Sequence, residues 1–230
     1  MIKKLLQHSY DRQLTHVPSA LSMLTYIDTM FSEKFIRPID DRIVLGKPFG
    51  SQAYYLVWDK LGWIDTIGLD IDKLSMGVKH DEIPYVDFSE ETMGNALGVA
   101  AGIAIAHPEQ TVWVNISDAT LQMGSTLEAI QYIGHNNLKN IWMTIDGNNM
   151  QVTGKTTDVL KVSPVLSMIR EYGWSCQSRD GHDKLEIARG CINRDVTCPN
   201  AIYFKTIKGY GVDYMEADPV KWHYRPIESL

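Results

Sequence analysis

Two side chains near the middle of the chain, Asp118 and Asn148, combine residue types and placement suited to holding a divalent cation. Each stands just past a short apolar run rich in Val, Ile and Trp, Thr111 to Ile116 for the first and Asn140 to Ile145 for the second. A carboxylate and an amide oxygen are hard ligands that fit Mg2+ or Ca2+, the kind of ion that also binds phosphate oxygens. A second reading stands beside this one. An aspartate after a strand commonly caps the next helix, and Asn148-Asn149 is a common turn. Spacing alone leaves the two readings level. Two histidines could move protons, His16 near the start and His223 near the end. By itself His16 reads first as a surface or capping residue at a helix entry, and His223 can be read as a ring packed on Trp222.

The elements around these residues favour a shared site. Between the two apolar runs, Leu127, Ile130 and Ile133 recur at helical spacing, which gives a strand, helix, strand crossover of the right-handed parallel kind. In an open parallel sheet, ligands bind in the crevice beyond the carboxyl ends of the strands, so Asp118 and Asn148 should meet there. The segment His16-Val17-Pro18-Ser19-Ala20 leads into Leu21, Leu24, Ile27 and Phe31. That stripe predicts a helix with Pro18 in its first turn and His16 in the loop just ahead of it. Ser51 to Leu61 predicts another helix, with Phe49 at its entry.

In Val86 to Ala106, Gly94, Gly98 and Gly102 recur every four residues, so one helical face is nearly bare backbone. Each glycine weakens a helix by roughly 1 kcal/mol relative to alanine, which points to close approach by another element, inside the domain or from another subunit. Downstream, the pattern predicts a helix near Val162 to Tyr172, a strand around Ser175 to Ser178, a turn at Asp180-Gly181-His182-Asp183, a further helix, and a strand from Ala201 to Lys205. His182 reads as structural and Asp183 as a cap. The resulting fold class is α/β, a three-layer parallel sheet with helices on both faces.

Bulk properties narrow the function. With 230 residues, 44% hydrophobic and 22% charged, the chain reads as one large α/β domain over 1–230. A net charge of −6 without a Lys/Arg cluster argues against binding along nucleic acid. Cys176, Cys191 and Cys198 are odd in number and not in metal-binding pairs, so they read as reduced packing residues. Lys3 and Lys4 are followed by too short an apolar run for a signal peptide, and no segment has the length of a membrane span. The expectation is a cytoplasmic protein with no membrane partner.

The Asp118 to Asn148 stretch resembles the thiamine diphosphate motif of transketolases, which opens Gly-Asp-Gly and closes on Asn; here it opens Ser117-Asp118-Ala119 and closes Asn148-Asn149. Other segments resemble the same family in the same order. His16 with the small residues after it resembles the N-terminal motif. Asp180-Gly181-His182-Asp183 repeats a family tetrapeptide, and Trp222-His223 resembles Trp-His-Gly. The resemblance implies a thiamine diphosphate-binding fold, with Asp118, Asn148 and the Met150 carbonyl on the metal. It also implies Ala119, Val152 and His223 against the cofactor, and His16 and His223 as catalytic residues near the reacting carbons. Departures accompany the matches. Phe49 of Lys47-Pro48-Phe49-Gly50 replaces a histidine that touches the diphosphate, and Glu91 replaces a glycine facing the pyrimidine ring. Met123 replaces a glutamate of a network linking paired sites, Tyr224 replaces a glycine, and Glu128 matches a second network glutamate. His80 is offset from the histidine of the family's Gly-His-Pro.

The activity implied by the resemblance is transfer of a two-carbon ketol unit between sugars or sugar phosphates, with the cofactor as electron sink. The family's pyrimidine-binding domain, with its activating glutamate, has no room in 230 residues. The expectation is therefore the N-terminal subunit of a split enzyme. Its partner is a separate C-terminal-type transketolase subunit, in a heterotetramer of two of each, and the glycine face is expected at the subunit interface. Three alternatives remain at this stage: a non-catalytic subunit with a decayed site, one half of a thiamine-dependent 2-oxo acid decarboxylase or carboligase, and a phosphate-binding α/β protein of another kind.

Overall fold

The computed structural model describes residues 1–66 and 68–229. In chain order the elements are α1 (Ile2–Asp11), α2 (Val17–Ser32), β1 (Arg42–Leu45), α3 (Gln52–Lys60), α4 (Trp63–Thr66), β2 (Phe88–Ser89) and α5 (Ala96–Ala106). Then come β3 (Val112–Ser117), α6 (Gly124–His135), β4 (Ile141–Gly147), a small hairpin of β5 (Met150–Gln151) and β6 (Gly154–Lys155), α7 (Thr156–Val159) and α8 (Ser163–Glu171). The chain closes with β7 (Ser175–Asp180), α9 (Lys184–Ile192), β8 (Asn200–Lys205) and α10 (Asp213–Ala217).

Six strands form one sheet in the order β2-β1-β3-β4-β8-β7, and every pairing is parallel. A parallel sheet is covered on both faces, so its strands must be apolar on both. Alternate residues divide accordingly. Ile43, Leu45, Trp113, Trp142, Ile202 and Phe204 join the core under α2, α3 and α9. Val44, Val114, Ile116, Met143, Ile145 and Ala201 join the core under α5, α6 and α8. The expected three-layer α/β architecture is what the chain adopts. Helix α2 starts at Val17 with Pro18 in its first turn, as its stripe predicts. Among the described residues, no helix is long and apolar enough to cross a membrane.

One boundary differs from the sequence expectation. Gly94 lies outside the helix, which begins at Ala96, and takes φ +127 in the preceding loop. Gly98 and Gly102 lie within α5 and face open space, where an added Cβ would meet nothing within 4 Å. Packing inside the chain therefore does not account for their presence.

Candidate cofactor site

Strands β1, β3, β4 and β8 all end at the same edge of the sheet, and the residues just past them surround one cleft of about 560 Å3. From the β1 end comes Lys47, from β3 Ser117 and Ala119, from β4 Asn148 and, through the hairpin, Met150 and Val152, and from beyond β8 Lys208. His16 enters from the start of α2, and His223 from the C-terminal segment. Backbone bonds clasp the two chain ends together: His16 N–H donates to the His223 carbonyl at 3.0 Å, and Gly209 N–H donates to the Pro18 carbonyl at 3.0 Å. Of the residues expected at the site, His16, Ala119, Asn148, Met150, Val152 and His223 thus line one cleft, although some 200 positions separate the first from the last.

Asp118 lies beneath the cleft, 1% exposed. Its carboxylate accepts from Asn149 N–H at 2.6 Å and from Ala119 N–H at 2.8 Å, so the ends of β3 and β4 are bound to each other through it. Burial, then the nearby Asp146 charge, push its pKa up to about 6. It does not cap the following long helix, because α6 begins only at Gly124 with Met123 at its N-cap. The turn reading of the asparagines does hold. Asn149 takes φ +58, and Asn148 Oδ1 accepts from Met150 N–H at 3.0 Å. Turn and ligand readings are compatible, since that geometry sets Asn149 N–H on Asp118 and leaves Asn148 and Met150 on the cleft wall. The Ala119 N–H, expected to face a diphosphate, is engaged by Asp118 here, so that contact is not preformed.

Sequence reasoning missed the buried charges behind the site. Asp146, the penultimate residue of β4, is fully buried. It forms an ion pair with Lys47 and accepts from Ser22 Oγ at 2.7 Å, Thr206 Oγ1 at 2.5 Å and Asn148 Nδ2 at 2.7 Å. Burial would raise its pKa, but the Lys47 charge and these hydrogen bonds hold it below the ordinary carboxylate range. The Asn148 amide is thereby oriented with its NH2 on Asp146 and its oxygen turned the other way, where it accepts from Met150 N–H and keeps a second lone pair. Lys208, 4% exposed, donates to His223 Nδ1 at 2.7 Å. Burial and the Lys47 charge lower Lys208 to about 8, so it stays mostly protonated at neutral pH. Burial and Lys208 push His223 down to about 3 and His16 down to about 4, and both rings are neutral at pH 7. An ammonium can only donate, which leaves the His223 proton on Nε2.

This donor set fits a hard cation beside a polyanion. Among the described residues no group of three His, Cys, Asp or Glu could hold a metal ion. An ion here would bind one carboxylate, neutral oxygens and a ligand's phosphate oxygens, the coordination that Mg2+ favours. Of the two buried amines in the cleft, Lys47 is balanced by Asp146, while Lys208 rests on the neutral His223 and supplies positive charge toward a diphosphate.

Residues 90–227 match the family described as transketolase, thiamine diphosphate binding domain. The chain belongs to this transketolase family. One subunit of the apulose-4-phosphate transketolase of Phocaeicola vulgatus is 27% identical over 240 residues, which cover 96% of this chain and 85% of that protein. The 6-deoxy-6-sulfo-D-fructose transketolase subunit of a Clostridium species is 28% identical over 204 residues, which cover 84% of this chain and 74% of that one. The solved transketolase of Campylobacter jejuni superposes with a TM-score of 0.77 at 19% identity, covering 97% of this chain and 40% of its own length. At that identity the likeness shows the fold.

Within this transketolase-family cleft, three of the departures are wall residues. Phe49 stacks on His16 with ring centroids 5.0 Å apart, instead of packing only on α3, and Glu91 and Met123 line other parts of the wall. Tyr224, 59% exposed, stands at the rim. Glu128 is exposed on α6, as a solvated helix residue would be. The buried Glu90, which the sequence pattern does not single out, shapes the loop carrying Glu91. Its carboxylate accepts from Gly94, Asn95 and Ala96 N–H at 2.8–2.9 Å and caps α5. His182 proves structural: its Nε2 accepts from Ile207 N–H at 2.8 Å and its ring stacks on Tyr210. Asp183 caps α9, as expected.

Proposed function

We propose that this chain is the N-terminal, diphosphate-binding subunit of a split transketolase-like enzyme that transfers a two-carbon ketol unit between sugars or sugar phosphates. The observation that carries this reading is the meeting of Asn148, Lys47, Lys208, His16 and His223 around one cleft at four parallel strand ends, with Asp118 buried beneath it on the Asn149 N–H, in a chain of this family. Relatives named as subunits, of which this chain spans 85% and 74%, support a separate partner. That partner carries the pyrimidine-binding domain and the activating glutamate, and the assembly is a heterotetramer of two of each. A groove of about 470 Å3 between α5 and α6, where Gly98 and Gly102 lie bare beside Ile105 and Tyr132, supports an association surface on this side. Three unpaired cysteines fit a reducing cytoplasm.

In this reading Asp118, Asn148 Oδ1 and the Met150 carbonyl hold Mg2+ or Ca2+, while Ala119, Val152 and His223 face the cofactor. Lys208 helps to balance the diphosphate charge, and Lys47 balances Asp146 behind it. When bound, thiamine diphosphate supplies the electron sink for breaking a carbon–carbon bond next to a carbonyl. The neutral His223 ring offers its Nε2 proton to an oxygen that gains charge, and Lys208 fixes the tautomer that makes this possible. His16 closes the same wall and orients substrate hydroxyls.

A second reading, 2-oxo acid decarboxylation or carboligation, is favoured by Phe49, which gives the wall an apolar ring against His16. Turnover assays of this chain reconstituted with its partner separate the two. Ketose phosphates used in preference to 2-oxo acids support ketol transfer, and the reverse preference overturns it. No turnover of either class, with no magnesium-dependent cofactor binding, would make the chain a non-catalytic subunit.

A further inference from the structure

The stretch from Thr206 to Gly209, which carries Lys208 into the cleft, is held at three points. Thr206 Oγ1 donates to Asp146 Oδ1 at 2.5 Å, and Gly209 N–H donates to the Pro18 carbonyl at 3.0 Å. Between them, Ile207 N–H donates to His182 Nε2 at 2.8 Å. His182 belongs to the turn that joins β7 to α9 and is not among the residues lining the cleft. That turn is pressed against the stretch it holds, since a Cβ on Gly181 would lie 2.5 Å from Thr206 Cγ2. The His182 ring also lies flat on Tyr210, with centroids 3.5 Å apart and planes 10° from parallel. To accept from Ile207, Nε2 must be bare, so the neutral ring carries its proton on Nδ1. Nδ1 is buried and has no hydrogen-bond partner among the described residues. A buried N–H without a partner is unfavourable, so the Nε2 bond and the Tyr210 contact must outweigh that cost. Burial holds the imidazole below its ordinary pKa, against the opposing charges of Asp180, Asp146 and Glu216. His182 and His223 are therefore opposite tautomers, because His223 accepts from Lys208 on Nδ1, at 2.7 Å, and keeps its proton on Nε2.

We propose that His182 is a positioning residue for the site, bracing the backbone at Ile207 so that Lys208 reaches His223 Nδ1 and fixes the tautomer with its proton on Nε2. The inference rests on the ketol-transfer reading for the use of that proton, whereas the brace is a property of this chain alone. His182 acts only through the backbone next to Lys208, at a distance from the reacting atoms. Such a brace matters because displacing a positioned group by about 1 Å costs about 100-fold in rate. Without it, Thr206 and Gly209 still anchor the stretch at its ends, so the expected loss is of Lys208 placement and not of the fold.

The test compares His182→Phe, which keeps a ring for Tyr210 but has no acceptor, with His182→Gln, whose Oε1 can accept from Ile207. In nitrogen NMR of the chain alone, wild-type His182 should be protonated on Nδ1 and show a coupling across the hydrogen bond from Ile207 N to its Nε2. Wild-type His223 should be protonated on Nε2. His182→Phe should move the His223 signals to an average of two tautomers, and His182→Gln should restore the single one. In the complex reconstituted with the partner, thiamine diphosphate and Mg2+, His182→Phe should lower kcat for a ketose phosphate at least about 10-fold, and His182→Gln should recover most of the loss. A single His223 tautomer in His182→Phe, or an unchanged kcat, would overturn the proposal. Wild-type His182 protonated on Nε2 would overturn it without any variant. A wild-type complex that turns over no ketose phosphate, with His182 and His223 in the expected tautomers, would overturn the ketol-transfer reading and leave the brace standing.

Discussion

Replacing Asp118 by asparagine should alter the pH dependence of stability in a direction opposite to that of most native carboxylates. Its pKa is raised from 3.8 to about 6, chiefly by burial and then by the Asp146 charge. Below pH 3.8 the group is protonated folded and unfolded, and the difference vanishes. Between 3.8 and about 6 the folded state holds a proton that the unfolded state has lost. Above about 6 the ionised group burdens the folded protein by up to about 3 kcal/mol. Acidification from pH 7 to 4.5 should recover about 2 kcal/mol of this. The substituted asparagine cannot ionise, and its altered hydrogen bonds with Asn149 and Ala119 are the same at both pH values, so they cancel in the comparison. The assay is urea unfolding of both proteins, without cofactor, at the two pH values. Wild type should gain about 2 kcal/mol over Asp118→Asn on acidification. No gain, or a relative loss, would refute the claim that Asp118 is held ionised at a cost while the cation is absent.

Cofactor affinity measured by fluorescence titration from pH 5 to 9 should peak between about pH 6 and 8. Asp118 must lose its proton near 6 to hold the cation, and Lys208 must keep its proton, which it yields near 8. A monotonic dependence would contradict this pairing. Lys47→Met leaves Asp146 charged and buried, and should cost about 3–5 kcal/mol in urea unfolding, part of which Lys47→Met/Asp146→Asn recovers. Gly98→Ala places its Cβ in open space within α5 and should stabilise the chain by about 1 kcal/mol, whereas Gly98→Trp should abolish association in sedimentation while leaving the fold intact.

The parts legible in sequence share one property, that short-range pattern encodes them. Apolar runs ending at Ile116 and Ile145 mark strands, and Pro18 with the stripe that follows it marks α2. The buried charges are less legible because their meaning is tertiary. Asp146 stands one residue past a run already read as strand, and only the fold brings it to Lys47, Ser22 and Thr206. Its one local signal is a carboxylate continuing an apolar parallel strand, where a charge must find partners. Lys208, flanked by Ile207 and Gly209, gives no such signal. Gly94 shows a limit of periodicity. It extends the four-residue spacing of Gly98 and Gly102, yet serves a loop with positive φ rather than the helix.

The most direct test of the diphosphate site is calorimetry of thiamine diphosphate with Mg2+, on this chain alone and with its partner, for wild type and Asp118→Ala. The site as built from Asp118, Asn148 and the two lysines predicts weak binding by the chain alone and tight binding by the complex. It also predicts a large loss of affinity in Asp118→Ala. Equal binding by wild type and Asp118→Ala would contradict it.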